Sequence, residues 1–385
     1  MNADLVFKSA RLVLGEEVVQ GTLAVAGEAI AGIDTGSTSV PGAADIEGDF
    51  LLPGLVEIHT DNFERHLMPR PKVRWPAMPA LLAHDAEIAA AGITTVYDAL
   101  GVGDADEDAL RGQGWGEVID CVNRVSRAGL LRSEHLLHVR CELPAPNTID
   151  LFAPFVGDPR VGLISLMDHT PGQRQWEDLD QAHTYYTGKK GWSDEKFARQ
   201  VANSKTLQQR YATPHRRFFV EYARTRGIPL ASHDDTRPDH VFEARGEGAA
   251  ISEFPTTVAA ARAARDCGLS TVMGAPNVVR GGSHSGNVAA LELAKLGLLD
   301  TLSSDYVPIS LLMGAFRLVD QAGFSIPQAV ATISRNPARS VGLLDRGEIA
   351  PGMRADLVQV RLVDGAGGFR QPVVRAAWRQ GRRIA

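Results

Sequence analysis

Eight short apolar runs, most followed by a helix-like stretch, constrain this chain more than any other feature. They fall near residues 52–59, 94–100, 136–142, 161–168, 229–233, 250–254, 270–275 and 301–305. Runs of this length between turn-forming residues read as strands. Helical stretches lie between them. Pro79 to Ala91 is alanine-rich and stops at Gly92, Thr257 to Asp266 stops near Gly268, and Asn287 to Leu296 stops at Gly297. Glycine just past the last helical residue is a common terminator. Strands alternating with helices predict parallel βα units, and eight of them predict an α/β fold with a (β/α)8 TIM-type barrel over residues 51–344.

The two ends read differently. DLVFKSARLVL, GTLAVAG and EAIAGID in residues 1–50 have the rhythm of hairpin strands. GEIAPGMRADLVQV and VVRAAWRQGRRI repeat it in residues 345–385. Neither end could bury a core alone, so together they are expected to form one small β-sandwich domain. Residues 171–215 are polar, aromatic and basic, and too long for a simple loop. They read either as a lid over the barrel mouth, with Gly188 and Gly191 as hinges, or as a plain surface insertion.

A net charge of −6 over 385 residues argues against general nucleic-acid binding, yet leaves room for a local basic pocket. The three cysteines, Cys121, Cys141 and Cys267, are odd in number and lack CxxC spacing. A disulfide framework is therefore not expected, and a reducing cytoplasm fits. The start MNADLVFKSA lacks a signal-peptide pattern, and no apolar run reaches the roughly 18 residues of a membrane span.

In a barrel of this kind the C-terminal strand ends build the active site. Ile58 and Thr60 alternate with His59 and Asp61, so the latter two can face one cavity and share a divalent cation. Glu142, His169, His233 and Asp305 also fall where apolar runs end. A lone histidine would more often be a hydrogen-bonded core residue; four imidazole and carboxylate positions beside His59 and Asp61 favour a metal centre. Asp168, Asp234 and Asp235 are placed to orient the imidazoles or to cap the next segment. Glu253, in ISEFPTT, is left open between ligand, substrate contact and structural carboxylate. The carboxylate share of the set favours manganese, iron or magnesium without excluding zinc, as one ion or two. His84, His183, His215 and His240 are not expected to be ligands.

Basic residues follow several of these strand ends. The loop Pro276 to Asn287 carries Arg280, Gly281, Gly282, Ser283 and His284 ahead of a helix, a setting suited to an anion. Arg65, Arg70 and Lys72, with His66 and Arg74, follow the first strand, and Arg174, Lys189 and Lys190 lie in the insertion. Some of these are expected to bind phosphate and others to be solvated bystanders; the residues alone do not sort them.

PGLVEIHTD resembles the first-strand signature of the amidohydrolase superfamily, Pro-Gly-x-x-Asp-x-His-x-His, with Asp61 in place of the second histidine. HTDNFERHLMPRPKVRWP, LMDHTPGQRQW, ASHDDT, GAPNVVRGGSHSGN and LSSDY resemble a branch that serves phosphonate utilisation, and the likeness runs from about Asp4 to Ile384. The resemblance implies a barrel inserted between the halves of the small domain. It implies Glu142 where relatives carry a modified lysine or a glutamate between metals, and Asp305 as the group that accepts a proton from the attacking water, with His233 as a further catalytic residue. The sixth-strand histidine usual in the superfamily is absent. The implied activity is hydrolysis of a ribose 5-triphosphate to the 5-phosphate and pyrophosphate. The implied partner is that small phosphorylated ribose, with no nucleic acid, no membrane, and a homodimer by family habit. The alternatives are a deacetylase or deaminase acting on a phosphorylated sugar or nucleobase, and a non-catalytic subunit of a phosphonate-processing assembly.

Overall fold

The computed structural model describes residues 3–70, 73–103, 114–283, 286–365 and 368–385, except for the side chains of Gln181, Lys189 and Lys190. Eight parallel strands follow one another in sequence order: Leu55–Thr60, Ile93–Val102, Glu134–Glu142, Val161–Met167, Leu230–His233, Ile251–Glu253, Ser270–Gly274 and Thr301–Ser303. The ring closes just past the last strand. Thr60 bridges Asp305 in parallel, Asp61 N donates to the Asp305 carbonyl at 2.8 Å, and Asp305 N donates to the His59 carbonyl at 3.1 Å. Val56, Ile58, Tyr97, Leu163, Ala231, Ile251 and Val272 fill the interior. Helices cover the outer face, so the strands are buried on both sides, which is why they read as near-continuous apolar runs.

The run expected at 52–59 is two strands. Phe50–Pro53 belongs to a second sheet and Leu55–Thr60 to the barrel. Gly54 is the crossing point, where a Cβ would lie 2.7 Å from the Asp356 Cβ and nearer still to Thr94. Only glycine lets the chain pass there. The second sheet takes strands from both ends. Its order is 382–383, 370–379, 357–364, 50–53, 5–13, 18–26, 29–34, with 44–45 parallel to 5–13. The two halves join where Leu357 pairs with Pro53 and Val360 with Phe50. Phe7, Leu12, Leu23, Ile30, Leu51, Leu357 and Trp378 make its core.

The stretch after the fourth strand is helical. Arg174–Trp176 forms a single turn, Leu179–Lys190 a helix, and Asp194–Arg226 a helix of 33 residues. Gly188 lies inside the first helix, while Gly191 follows it with φ +64°. Trp176, Ala182 and Phe197 pack together with Tyr185, Tyr186 and Trp192. Gln208 on the long helix donates to Asp168 at 3.2 Å, which ties that helix to the end of the fourth strand. Among the described residues no helix is long and apolar enough to cross a membrane, and all three cysteines are free.

Candidate active site

The first strand is pinned by a buried carboxylate. Glu57 accepts from the backbone N–H of His59 at 2.6 Å and of Ser304 at 2.5 Å, and so locks the first strand to the eighth. Burial pushes its carboxyl up to about 7. His59, held in this way, reaches Glu253 Oε1 through Nδ1 at 3.0 Å.

Glu253, fully buried on the sixth strand, gathers three imidazoles. Its Oε2 lies 3.3 Å from His233 Nδ1 and 3.8 Å from His138 Nε2. Burial opposes its ionisation, but His138, His59 and His233 outweigh that and hold the carboxyl well below its ordinary value. His138 Nδ1 donates to the Ile58 carbonyl at 2.9 Å, and its Nε2 meets Ser165 Oγ at 2.6 Å. Desolvation pulls this histidine down to about 3.

The opposite wall is built by strands three, four and five. Glu142 Oε1 accepts from His169 N at 3.0 Å, and its Oε2 meets His169 Nδ1 at 2.5 Å. Burial works against a charged His169, but the Glu142 and Asp234 carboxylates prevail and raise it to about 10. Nε2 of His169 and Nε2 of His233 each lie 3.6 Å from Asp234 Oδ2. That is longer than a hydrogen bond. Three donor atoms thus converge without bonding one another. The spacing and the oxygen and nitrogen donors suit a divalent cation. His59, His138 and Glu253 also bring their donor atoms together, but there His59 Nδ1 and Glu253 Oε1 already bond each other.

Three residues just past strand ends, Asp234, Phe254 and Asp305, adopt φ of +55°, +54° and +55°. Left-handed backbone is strained for residues other than glycine, less so for aspartate, and such strain concentrates at functional sites. Here it turns the chain sharply at the barrel mouth, and Asp234 and Asp305 both line the cavity there. This cavity encloses roughly 200 Å³. His59, Arg140, His169 and His233 complete its inner wall, with Asn277, Arg280, Gly282 and Ser283 nearer the surface.

Of the residues expected from sequence, His59, His169, His233 and Asp305 line this cavity, and Glu142 bonds His169 beside it. Asp61 lies 4.0 Å from His59 Nε2 and is drawn into a short ion pair with Arg140. Arg280 and Ser283 line the cavity, whereas Arg65 and Arg174 do not. Arg65 bonds Glu87 at 3.0 Å on the surface. Arg174 is buried, pairs with Asp235 at 2.5 Å and donates to the His233 carbonyl at 3.1 Å. Its charge supports the fifth strand end from behind. Arg70 forms a local bridge with Val73 and is exposed. Lys72 and His284 lie outside the described residues, as do the side chains of Lys189 and Lys190. Residues that sequence reasoning passed over are His138, Arg140 and, as a gathering point, Glu253. The signal for the first two was the strand period, because 138, 140 and 142 share one face. Of the histidines set aside, His183, His215 and His240 make local contacts, to Asp194, the Leu143 carbonyl and Thr236 N. His84 joins Asp98 and His135 in a cluster outside the barrel wall.

Residues 193–385 match the model of an amidohydrolase family. Over 382 residues, 99% of this chain and 100% of the relative, the sequence is 45% identical to alpha-D-ribose 1-methylphosphonate 5-triphosphate diphosphatase of Escherichia coli. Among solved structures, an N-acetyl-D-glucosamine-6-phosphate deacetylase mutant from Mycobacterium smegmatis superposes with a TM-score of 0.65 at 15% identity, covering 100% of both chains. A 5-methylcytosine deaminase from Klebsiella pneumoniae gives 0.62 at 16% identity, covering 99% of this chain and 98% of the other. At such identities these two share the fold alone. On the family match and the full-length relative, the chain belongs to the amidohydrolase family.

Proposed function

We propose that this chain hydrolyses alpha-D-ribose 1-methylphosphonate 5-triphosphate to the 5-phosphate and pyrophosphate, as its Escherichia coli relative is named for doing. The observation that carries this is 45% identity over essentially the whole of both chains. The cavity fits it, with acidic and imidazole groups inside and Arg280 and Ser283 towards the surface.

His169, His233, Asp234 and Glu142 are the residues that would hold a divalent cation, with His59 and Asp61 beside them for a second. Such an ion, zinc, manganese, iron or magnesium, acidifies water and neutralises phosphate charge. Asp305 takes the proton of the attacking water at its carboxylate. The water oxygen bonds to the phosphorus nearest the ribose, the bond from that phosphorus to the bridging oxygen breaks, and this oxygen leaves with pyrophosphate. Arg280 and Ser283 receive the departing end. His233, fixed by Glu253 below and Arg174 behind, keeps its Nε2 towards the cavity.

The test is incubation of metal-reconstituted protein with the triphosphate in ¹⁸O water, read by phosphorus NMR. Pyrophosphate and a 5-phosphate carrying the label are expected. Orthophosphate as the first product, or label in the pyrophosphate, would refute the assignment. Ammonia or a freed carboxylate from other substrates would instead favour the deaminase or deacetylase reading.

A further inference from the structure

We infer that Arg140 binds the oxygens of the phosphoryl group under attack, an assignment that rests on the hydrolytic reading above. Arg140 stands between His138 and Glu142 on the third barrel strand, so the three side chains leave on one face. It lines the cavity and is only 8% exposed. One of its terminal nitrogens donates to Asp61. Its Nε–H is buried without a hydrogen-bond partner among the described residues.

A guanidinium carries five N–H donors in a rigid fork. One bond to Asp61 leaves much of that fork unused, and a buried donor left unpaired destabilises the fold. A lysine would neutralise Asp61 as well. The fork suits something with two or more oxygens, and a phosphoryl group has that shape.

Depth assigns the phosphorus. Among the described residues two arginines line the cavity, Arg140 buried and Arg280 exposed. A triphosphate laid between them puts its departing pyrophosphate at Arg280 and its innermost phosphorus at Arg140. There Asp61 pairs with Arg140, and the carboxylates of Asp234 and Asp305 line the same cavity. Arg140 holds the phosphoryl oxygens against that field and stabilises their charge as the anhydride bond breaks.

The test uses full-length, metal-reconstituted protein and the variants Arg140→Met and Arg140→Lys. Pyrophosphate release, metal content, Tm and affinity for inorganic phosphate are measured for each. Loss of one preorganised donor from a transition state costs roughly 10²- to 10³-fold in kcat. Such a loss is expected in both variants, with metal content and Tm retained and phosphate binding weakened about tenfold, the size of one charge-assisted contact. In a third variant, Arg140→Ala, millimolar guanidinium should restore part of the turnover. Turnover of Arg140→Lys close to wild type would overturn the assignment, because lysine keeps the charge beside Asp61 and loses only the fork. Activity lost together with bound metal would also overturn it, since Arg140 would then act only through Asp61. Wild-type protein that releases no pyrophosphate would sink the parent reading. In that case equal phosphate affinity in wild type and Arg140→Met would sink this one separately.

Discussion

Two clusters of histidine and carboxylate lie on opposite faces of the barrel wall. His169, His233 and Asp234 stand at the mouth, beside the cavity. His84, Asp98 and His135 lie between the second and third strands and the helix Ala77–Ala90, with no exposure above 4%. Their composition is the same and their geometry is not. In the outer cluster His84 Nε2 meets Asp98 Oδ1 at 2.7 Å and His135 Nδ1 meets Asp98 Oδ2 at 2.8 Å. The remaining ring nitrogens bond Asn62 and Asp85. Every imidazole nitrogen there is satisfied, so the cluster is a closed hydrogen-bonded strut. At the mouth, the imidazole nitrogens nearest Asp234 stop at 3.6 Å, short of a hydrogen bond. Residue type alone does not distinguish a ligand set from a strut; spacing and access do.

This contrast is broken most sharply by Asp305→Asn. Loss of a group that takes a proton from the nucleophile costs about 10²- to 10⁴-fold in kcat. Asparagine tolerates the left-handed backbone of position 305, so Tm should stay near wild type. Near-normal pyrophosphate release by this variant would remove Asp305 from the chemistry.

The mirror-image experiment is Asp98→Asn in the strut. Removing one partner of a buried ionic network costs about 3–5 kcal/mol. A large fall in denaturant midpoint is expected, with kcat at low temperature within a few-fold of wild type. A variant as stable as wild type would show that the strut holds nothing. A cation should raise the Tm of this variant as it does that of wild type, while His233→Ala should lose that response.

The strut also predicts a pH dependence. Burial opposes a charged His135, but Asp98 and Asp85 outweigh it and raise the imidazole from 6.5 to about 9. A proton held more tightly in the folded chain stabilises it fully below pH 6.5 and is lost as pH rises through about 9. Chemical denaturation should therefore show stability falling across that window, with His135→Gln giving a flatter profile. Equal slopes in the two proteins would refute a charged His135.

The barrel was legible because parallel strands buried on both faces leave apolar runs that few other folds require. The first boundary was not. Leu52 to His59 reads as one run, and only the contact of Gly54 with Thr94 and Asp356 shows that two sheets share it. His59, His169, His233 and Asp305 were found because they end such runs. His138 and Arg140 were within reach, since a strand that aims Glu142 at the mouth aims both of them the same way. Glu253 was harder, for a carboxylate in ISE carries no sign of the three imidazoles that other strands bring to it. The helices of the insertion are masked by a polar composition that comes from a largely exposed surface. The basic residues were the least legible, because charge is written in the sequence and direction is not.

Arg280 and Arg65 make the smallest and most direct test of that last point. Both are exposed arginines that follow a barrel strand, and sequence gives them equal claim to phosphate. Arg280 lines the cavity, and Arg65 spends its guanidinium on Glu87. Arg280→Ala should raise KM for the triphosphate by about tenfold, the size of one charge-assisted contact, and affect a monophosphate analogue less. Arg65→Ala removes a surface ion pair worth no more than about 1 kcal/mol. It should leave KM unchanged and shift the unfolding midpoint only slightly. Equal effects of Arg280→Ala on both ligands would take that loop out of triphosphate recognition. A raised KM in Arg65→Ala would mean that the Glu87 pair opens to let Arg65 reach the substrate.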